Sequence, residues 1–280
     1  MNYQCFNVSF EHNVAHIQLI RPQKRNAMNP AFWDELPAIV KDIDANVKAR
    51  VIVISSTGPH FTAGIDIAAF LGQNEASEKT TADHGARFHA TATLMQETFS
   101  ALENCRIPVL AAIQGGCIGG GVDLVTACDL RYVTEDAFLS VHETNIAMTA
   151  DVGTFPRLVN LIPEGIAREM AYTGNPLSAS DAYKHGLANR VFANQETMMD
   201  EVMGIAKQIA QQAPMAVYGC KRMINYSRDH STSDTLDYVA TWNASMLSLD
   251  EIGEAMLAKA EKRAANFSEL PPLPKKISSS

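Results

Sequence analysis

Residues 108–151 read PVLAAIQGGCIGGGVDLVTACDLRYVTEDAFLSVHETNIAMTAD, and the fold turns on how they are read. An apolar, β-prone run at 109–113 enters a loop with five glycines in seven residues, Gly115, Gly116, Gly119, Gly120 and Gly121. The apolar segment 122–127 then predicts a short helix. A strand that passes through glycine into a helix start presents backbone N–H groups with no intrahelical partner. Such groups can hold a phosphate, a carboxylate or a developing oxyanion. Three carboxylates accompany them in largely apolar surroundings: Asp123, Glu143 and Asp151. The stretch is a candidate active site.

Familiar glycine motifs do not account for it. No G-x-G-x-x-G register fits 115–121 and no Lys-Ser/Thr follows, which excludes dinucleotide and P-loop binding. A G-x-S-x-G nucleophile elbow is also absent. Cys117 reads as a small residue filling the turn, because no histidine lies near it in sequence to activate a thiolate.

A second passage of the same kind lies upstream. Residues 51–55, VIVIS, form a continuous apolar run typical of a strand buried on both faces. Gly58-Pro59 then turns the chain, and Ala63-Gly64-Ile65 leads into a helix that Asp66 caps. Two such loops can aim two N–H groups at one oxygen, given small or permissive residues such as Ala63, Gly64, Gly120 and Gly121.

Further out, residues 5–20 alternate as two strands with a turn near Glu11-His12-Asn13. Asn29 and Pro30 start a helix whose apolar positions Phe32, Leu36, Ile39, Val40 and Ile43 follow helical spacing. This strand–helix–strand order predicts ββα units in an α/β fold. Lys24 and Arg25, just before that helix, read as a solvated basic pair. Residues 72–86 are polar and suggest a mobile loop, a candidate lid, followed by a helix over 87–104. Two short helices are expected at 164–172 and 180–185, the latter capped by Ser178 and ended by Gly186. From Gln195 onward the pattern is almost wholly helical, interrupted by Pro214. The expected division is a core over 1–194 and a helical region over 195–280.

The 280 residues are 46% hydrophobic and 19% charged with a net charge of −8, an ordinary globular composition whose scattered positive charge argues against nucleic acid. Cys5, Cys105, Cys117, Cys128 and Cys220 are odd in number and contain no C-x-x-C, which suits a reducing compartment without structural zinc or disulfides. The first residues lack a secretion or transit pattern, no apolar run is long enough to span a membrane, and the ending ISSS is not a peroxisomal address. A cytoplasmic protein is expected.

The GGGVD run at 119–123, together with HFTAGIDI and RNAMNPAFW, resembles the enoyl-CoA hydratase/isomerase (crotonase) superfamily over nearly the whole chain. The resemblance implies a repeated ββα spiral core and a C-terminal helical region that trimerises, often as a dimer of trimers. It also implies acyl-CoA thioester substrates, with CoA part of the substrate and no separate cofactor or metal. Hydratases of that superfamily typically carry glutamates at the positions of both Asp123 and Glu143. The Asp123–Glu143–Asp151 set is instead similar to the Δ3,5-Δ2,4-dienoyl-CoA isomerase branch. Thr149 stands where that branch often has Ala. By resemblance, the N–H groups of Ile65 and Gly120 form the oxyanion hole, Asp151 is the base and Glu143 the acid, with Asp123 tuning their ionisation. Substrate contacts are implied at Lys24, Arg25, Ala27, Ala63, Gly64, Asp66, Ile67, Gly121 and Lys262. A hydratase, a Δ3-Δ2-enoyl-CoA isomerase and a non-catalytic crotonase-fold subunit are the alternatives.

Overall fold

In the computed structural model, which describes residues 3–71 and 80–274, the alternating N-terminal pattern forms a hairpin of β1 (Phe6–Glu11) and β2 (Val14–Leu19). His12 and Asn13, at φ 50° and 62°, make the left-handed pair that matches the twist of adjoining strands. The helix α1 (Pro30–Ala45) starts as its sequence dictates, with the Asn29 side chain accepting the Phe32 N–H and Pro30 in the first turn. Next come β3 (Val51–Ser56), α2 (Ile67–Leu71) and α3 (Thr81–Asn104). The start of α3 lies six residues before the expected 87. Its first half is solvent-exposed and carries no apolar stripe to read, but Thr80 caps it by accepting the Asp83 N–H. The remainder of the candidate lid, 72–79, lies outside the described residues.

The glycine stretch contains the expected strand β4 (Val109–Ile113), then β5 (Gly116–Ile118), a strand that the sequence did not reveal, and α4 (Gly120–Thr126). The chain continues through β6 (Leu130–Thr134), β7 (Phe138–Ser140), α5 (Thr154–Leu158), α6 (Glu164–Thr173), β8 (Leu177–Ser178), α7 (Ala179–Lys184) and β9 (Arg190–Phe192). The large sheet has the order β1-β2-β3-β4-β6-β9, parallel apart from the first hairpin, and β5-β7-β8 form a second, small sheet. Successive passes place a strand in the large sheet, cross into the small layer at Thr62, β5 or β7, and then turn into helix. This is the expected ββα spiral. It stacks each strand-to-helix crossing beside the previous one, which is what brings the two glycine loops together.

Both faces of the large sheet are covered, which explains why every residue of β3 is buried. Ile17, Ile52, Ile54, Val109 and Ala111 face the core that α1 and α3 close. Val53, Leu110 and Tyr132 face Met198, Val202, Ala206 and Ala210 of α8 (Gln195–Ala210). Pro214 opens the next helix, α9 (Pro214–Tyr226), which is followed by α10 (Thr232–Met246) and α11 (Leu249–Glu261). No residue of α10 is buried. The chain then runs back across the base of the core, where Arg50 binds Phe267 O and Glu269, and Arg106 binds Asp44 and Pro271 O.

Candidate active site

The floor of the site is backbone. The loop after β3 is stitched to β5 by Thr62 N–H to Gly116 O, 3.1 Å, and Ile118 N–H to Thr62 O, 3.1 Å. On its other side it is stitched to the segment before α1, by Met28 N–H to Gly64 O, 2.8 Å, and Asp66 N–H to Met28 O, 3.0 Å. That pattern points the Ile65 N–H away from Met28. Gly120 is the first residue of α4, so its N–H has no helical acceptor. Neither N–H finds an acceptor among the described residues. Gly64, at φ +81°, is where the two loops touch: a Cβ there would lie 2.6 Å from Ile118 O and 3.2 Å from Gly120 N. A Cβ on Gly120 would lie 3.7 Å from Ile65 N, so the two free N–H groups are neighbours. Gly121 has a different task. Its Cα is packed against the Thr62 methyl, which a Cβ would meet at 2.6 Å.

The wall is made of carboxyl groups. Glu143 opens a short 3-10 turn after β7 and is buried; its Oε1 lies 3.2 Å from where a Cβ on Gly119 would be, while its Oε2 has no hydrogen-bond partner. Burial pushes its acidity to higher pH, and the charge of Asp151 adds to this, while the nearby backbone N–H groups and His142 oppose it. Asp151 lies on the connection to α5, half-buried, and is also raised by burial. Of the three acids it alone lines a cleft of about 660 Å³ between α3, α5 and α9, together with Gln96, Ser100, Arg157 and Asn225.

Asp123 sits on α4 at 1% exposure, with Oδ1 accepting the Thr154 N–H at 2.6 Å. Burial pushes it up to about 7; Glu143 also raises it, and Thr154 and Arg157 pull the other way. The three acids therefore form one electrostatic group, Asp123 sensing Glu143 and Glu143 sensing Asp151. Cys117 is wholly buried and its thiol is held well above its ordinary range by burial, so it remains a packing residue.

The other sequence candidates are spread around this centre. Lys24 and Arg25 are exposed on a tight turn that docks onto the floor through Ala63 N–H to Arg25 O, 2.9 Å. Ala27 O accepts Arg21 Nη1 at 2.7 Å. Asp66 caps α2 by accepting the Ala69 N–H at 3.3 Å, and Ile67 is 45% exposed at the start of that helix. Lys262 ends α11 in a left-handed conformation, exposed, and its side chain forms no ion pair among the described residues. Met28, Gln96, Thr154 and Arg157 were missed as site residues. Their contributions come from contacts across the fold, and no local pattern announces them.

The enoyl-CoA hydratase/isomerase family model matches residues 9–270. The chain belongs to that family. Over 96% of its length it is 41% identical to the mitochondrial Delta(3,5)-Delta(2,4)-dienoyl-CoA isomerase of Mus musculus, covering 84% of that protein. Over 92% of its length it is 39% identical to the peroxisomal Delta(3,5)-Delta(2,4)-dienoyl-CoA isomerase of Arabidopsis thaliana, covering 94% of that protein. The solved structure of an enoyl-CoA hydratase from Bacillus anthracis superposes with a TM-score of 0.85 at 28% identity, over 94% of this chain and 99% of that one. These relatives mark the chain as an enzyme on the isomerase side of the family. Among the described residues no helix is long and apolar enough to cross a membrane, and no group of three or more His, Cys, Asp or Glu is placed to hold a metal ion.

Proposed function

We propose that this enzyme shifts the double bonds of 3,5-dienoyl-CoA to give 2,4-dienoyl-CoA, a step in fatty-acid β-oxidation. The observation that carries this reading is the acid group itself: Glu143 Oε1 comes within 3.2 Å of where a Cβ on Gly119 would lie, next to the unpaired Gly120 N–H, Asp123 stands on the helix that Gly120 opens, and Asp151 raises the proton affinity of Glu143. The thioester oxygen would accept the N–H groups of Ile65 and Gly120. Charge grows on that oxygen as the C2 proton leaves, so donors fixed in advance stabilise the dienolate more than the substrate. Asp151 takes the C2 proton, and Glu143 delivers one to C6 at the far end of the conjugated system. Coupled carboxyls in a dry pocket cannot all ionise cheaply, so one of them keeps the proton that an acid must donate. The buried, unpartnered Glu143 Oε2 suits that donor. Asp123 adjusts the ionisation of both.

The same reading has Lys24, Arg25 and the backbone at Ala27 meet CoA, with Lys262 reaching it from the terminal helix, and needs neither a metal nor a separate cofactor. Ala63, Gly64, Asp66, Ile67 and Gly121 shape the channel around the thioester. A homotrimer, or a hexamer made of two trimers, fits the apolar surface that α10 and α11 leave uncovered, including Leu236 at 65% and Leu249 at 78% exposure. Light scattering at micromolar concentration tests this, and an active monomer would refute it. The cytoplasmic assignment rests on the cysteine usage, and fluorescence localisation of the tagged full-length protein tests it.

The deciding experiment follows the absorbance of the conjugated 2,4-dienoyl product from 3,5-dienoyl-CoA, with 2-enoyl-CoA hydration as the control. Hydration that outruns isomerisation would overturn the proposal in favour of a hydratase.

A further inference from the structure

The segment that carries Asp151 lacks a scaffold of its own. Among the described residues, no main-chain N–H of 149–153 donates to another main-chain carbonyl. The Asp151 carboxylate branches from the Cα that joins the 150–151 and 151–152 peptides, so the orientation of this stretch of backbone sets the direction of the side chain. What fixes the peptide is therefore a set of side chains from neighbouring helices. Gln96 Nε2 donates to Asp151 O at 2.6 Å. Asp123 accepts the Thr154 N–H at 2.6 Å. Arg157 Nη1 reaches Gly153 O at 3.4 Å, and is itself held by Glu103, 3.0 Å, and Ser100, 3.1 Å.

Three of these groups, Gln96, Ser100 and Glu103, follow i, i+4, i+7 spacing and so share one face of α3. The opposite side of the same turns is anchored in the core by Thr98, Phe99 and Leu102. The rigid half of α3 thus presents a polar stripe to the Asp151 connection, and Gln96 is the member of the stripe that holds the acid's own peptide.

We infer that Gln96 is a positioning residue for Asp151, setting the reach of that carboxylate toward substrate from across the cleft. The inference rests on the assignment of Asp151 as the base. A displaced base loses rate steeply because proton transfer requires contact distance, whereas binding of the thioester, held elsewhere, is little affected.

The test uses the full-length protein with 3,5-dienoyl-CoA, alongside exchange of the C2 proton of a saturated acyl-CoA into deuterated water. For Gln96→Leu, kcat and C2 exchange should both fall about tenfold while KM stays within about twofold. The melting temperature should be unchanged, since the side chain is exposed. Gln96→Lys keeps a donor, so it should recover most of kcat and move the acid limb of the pH profile to lower pH by placing a cation beside the carboxyl. Gln96→Leu with kcat and exchange within twofold of wild type would overturn the inference. So would Gln96→Lys being as slow as Gln96→Leu, or a loss matched by a fall in the folded fraction. If Asp151→Asn still exchanges C2, the base assignment fails instead. The exchange assay reads the positioning role even where no isomerisation is seen.

Discussion

The floor and the wall of this site are built on opposite principles. The floor, around Ile65 and Gly120, uses N–H groups that every residue but proline carries, so its chemistry is independent of side-chain identity. It depends on how closely two loops approach, and Gly64 controls that approach through contacts of 2.6 and 3.2 Å that a side chain would occupy. The wall uses side chains whose chemistry is the residue, on a connection whose shape is supplied by other parts of the fold. Floor positions should therefore be sensitive to added bulk and indifferent to charge. Wall positions should be sensitive to loss of the ionisable group and to any change in where it is held.

The largest expected effect is on the wall. Asp151→Asn keeps the shape and removes the base, so isomerisation and C2 exchange should fall together by about 10⁴-fold, the upper range for general-base loss. Retained exchange would break the comparison at its most exposed point. On the floor, Gly120→Pro removes one donor at the first helical position, where the proline ring suits the backbone but presses on Met28 Sδ and Ile65 Cγ1, 3.1 and 3.4 Å from a Cβ there, so kcat should fall by at least about 10³-fold with the protein still folded. Circular dichroism with steady-state kinetics checks both halves of that statement. Gly64→Ala tests bulk without removing a donor. The strained conformation and the close contact with Ile118 O should cost activity and about 1–3 kcal/mol of stability, measurable by urea melts.

Glu143→Gln sharpens the contrast within the wall. Isomerisation should drop about 10²-fold while C2 exchange continues, because the base survives and only delivery at C6 is lost. Loss of exchange in this variant, with exchange kept in Asp151→Asn, would swap the two roles.

The smallest effect belongs to Asp123. Its folded acidity lies near 7, above the ordinary 3.9 or so, so the folded state holds this proton where the unfolded chain has released it. The stabilisation from this group is thus present at low pH and is lost as pH rises from about 4 through about 7. Relative to wild type, Asp123→Asn should gain stability over that window by up to about 4 kcal/mol, less whatever the changed bond to Thr154 costs. Activity should fall only several-fold, with a shifted pH profile. A stability difference that is flat with pH would show that Asp123 is ionised throughout.

What the sequence determined by itself was local or periodic. The hairpin, the Asn29-Pro30 helix start, the buried run at 51–55 and the two strand–glycine–helix passages are each encoded within a few adjoining residues, where steric preference and hydrophobic period leave few options. The resemblance carried by 119–123 and its companion motifs reached the family for the same reason, since the glycine spacing is itself a structural requirement. The tertiary structure decided what depends on juxtaposition. It placed the Ile65 and Gly120 N–H groups side by side from 55 positions apart. It closed β5 into a sheet too short to read from three residues. It also assigned α8 and α10, two helices from the same helical stretch, to opposite fates. The apolar stripe of α8, Met198, Val202, Ala206 and Ala210, meets a complementary sheet face within the chain, while α10 only leans on α9, Trp242 against Tyr218, and none of its residues is fully buried. A periodic pattern states that a face is apolar. Only the packing of the other elements states whether this chain has a surface to cover it.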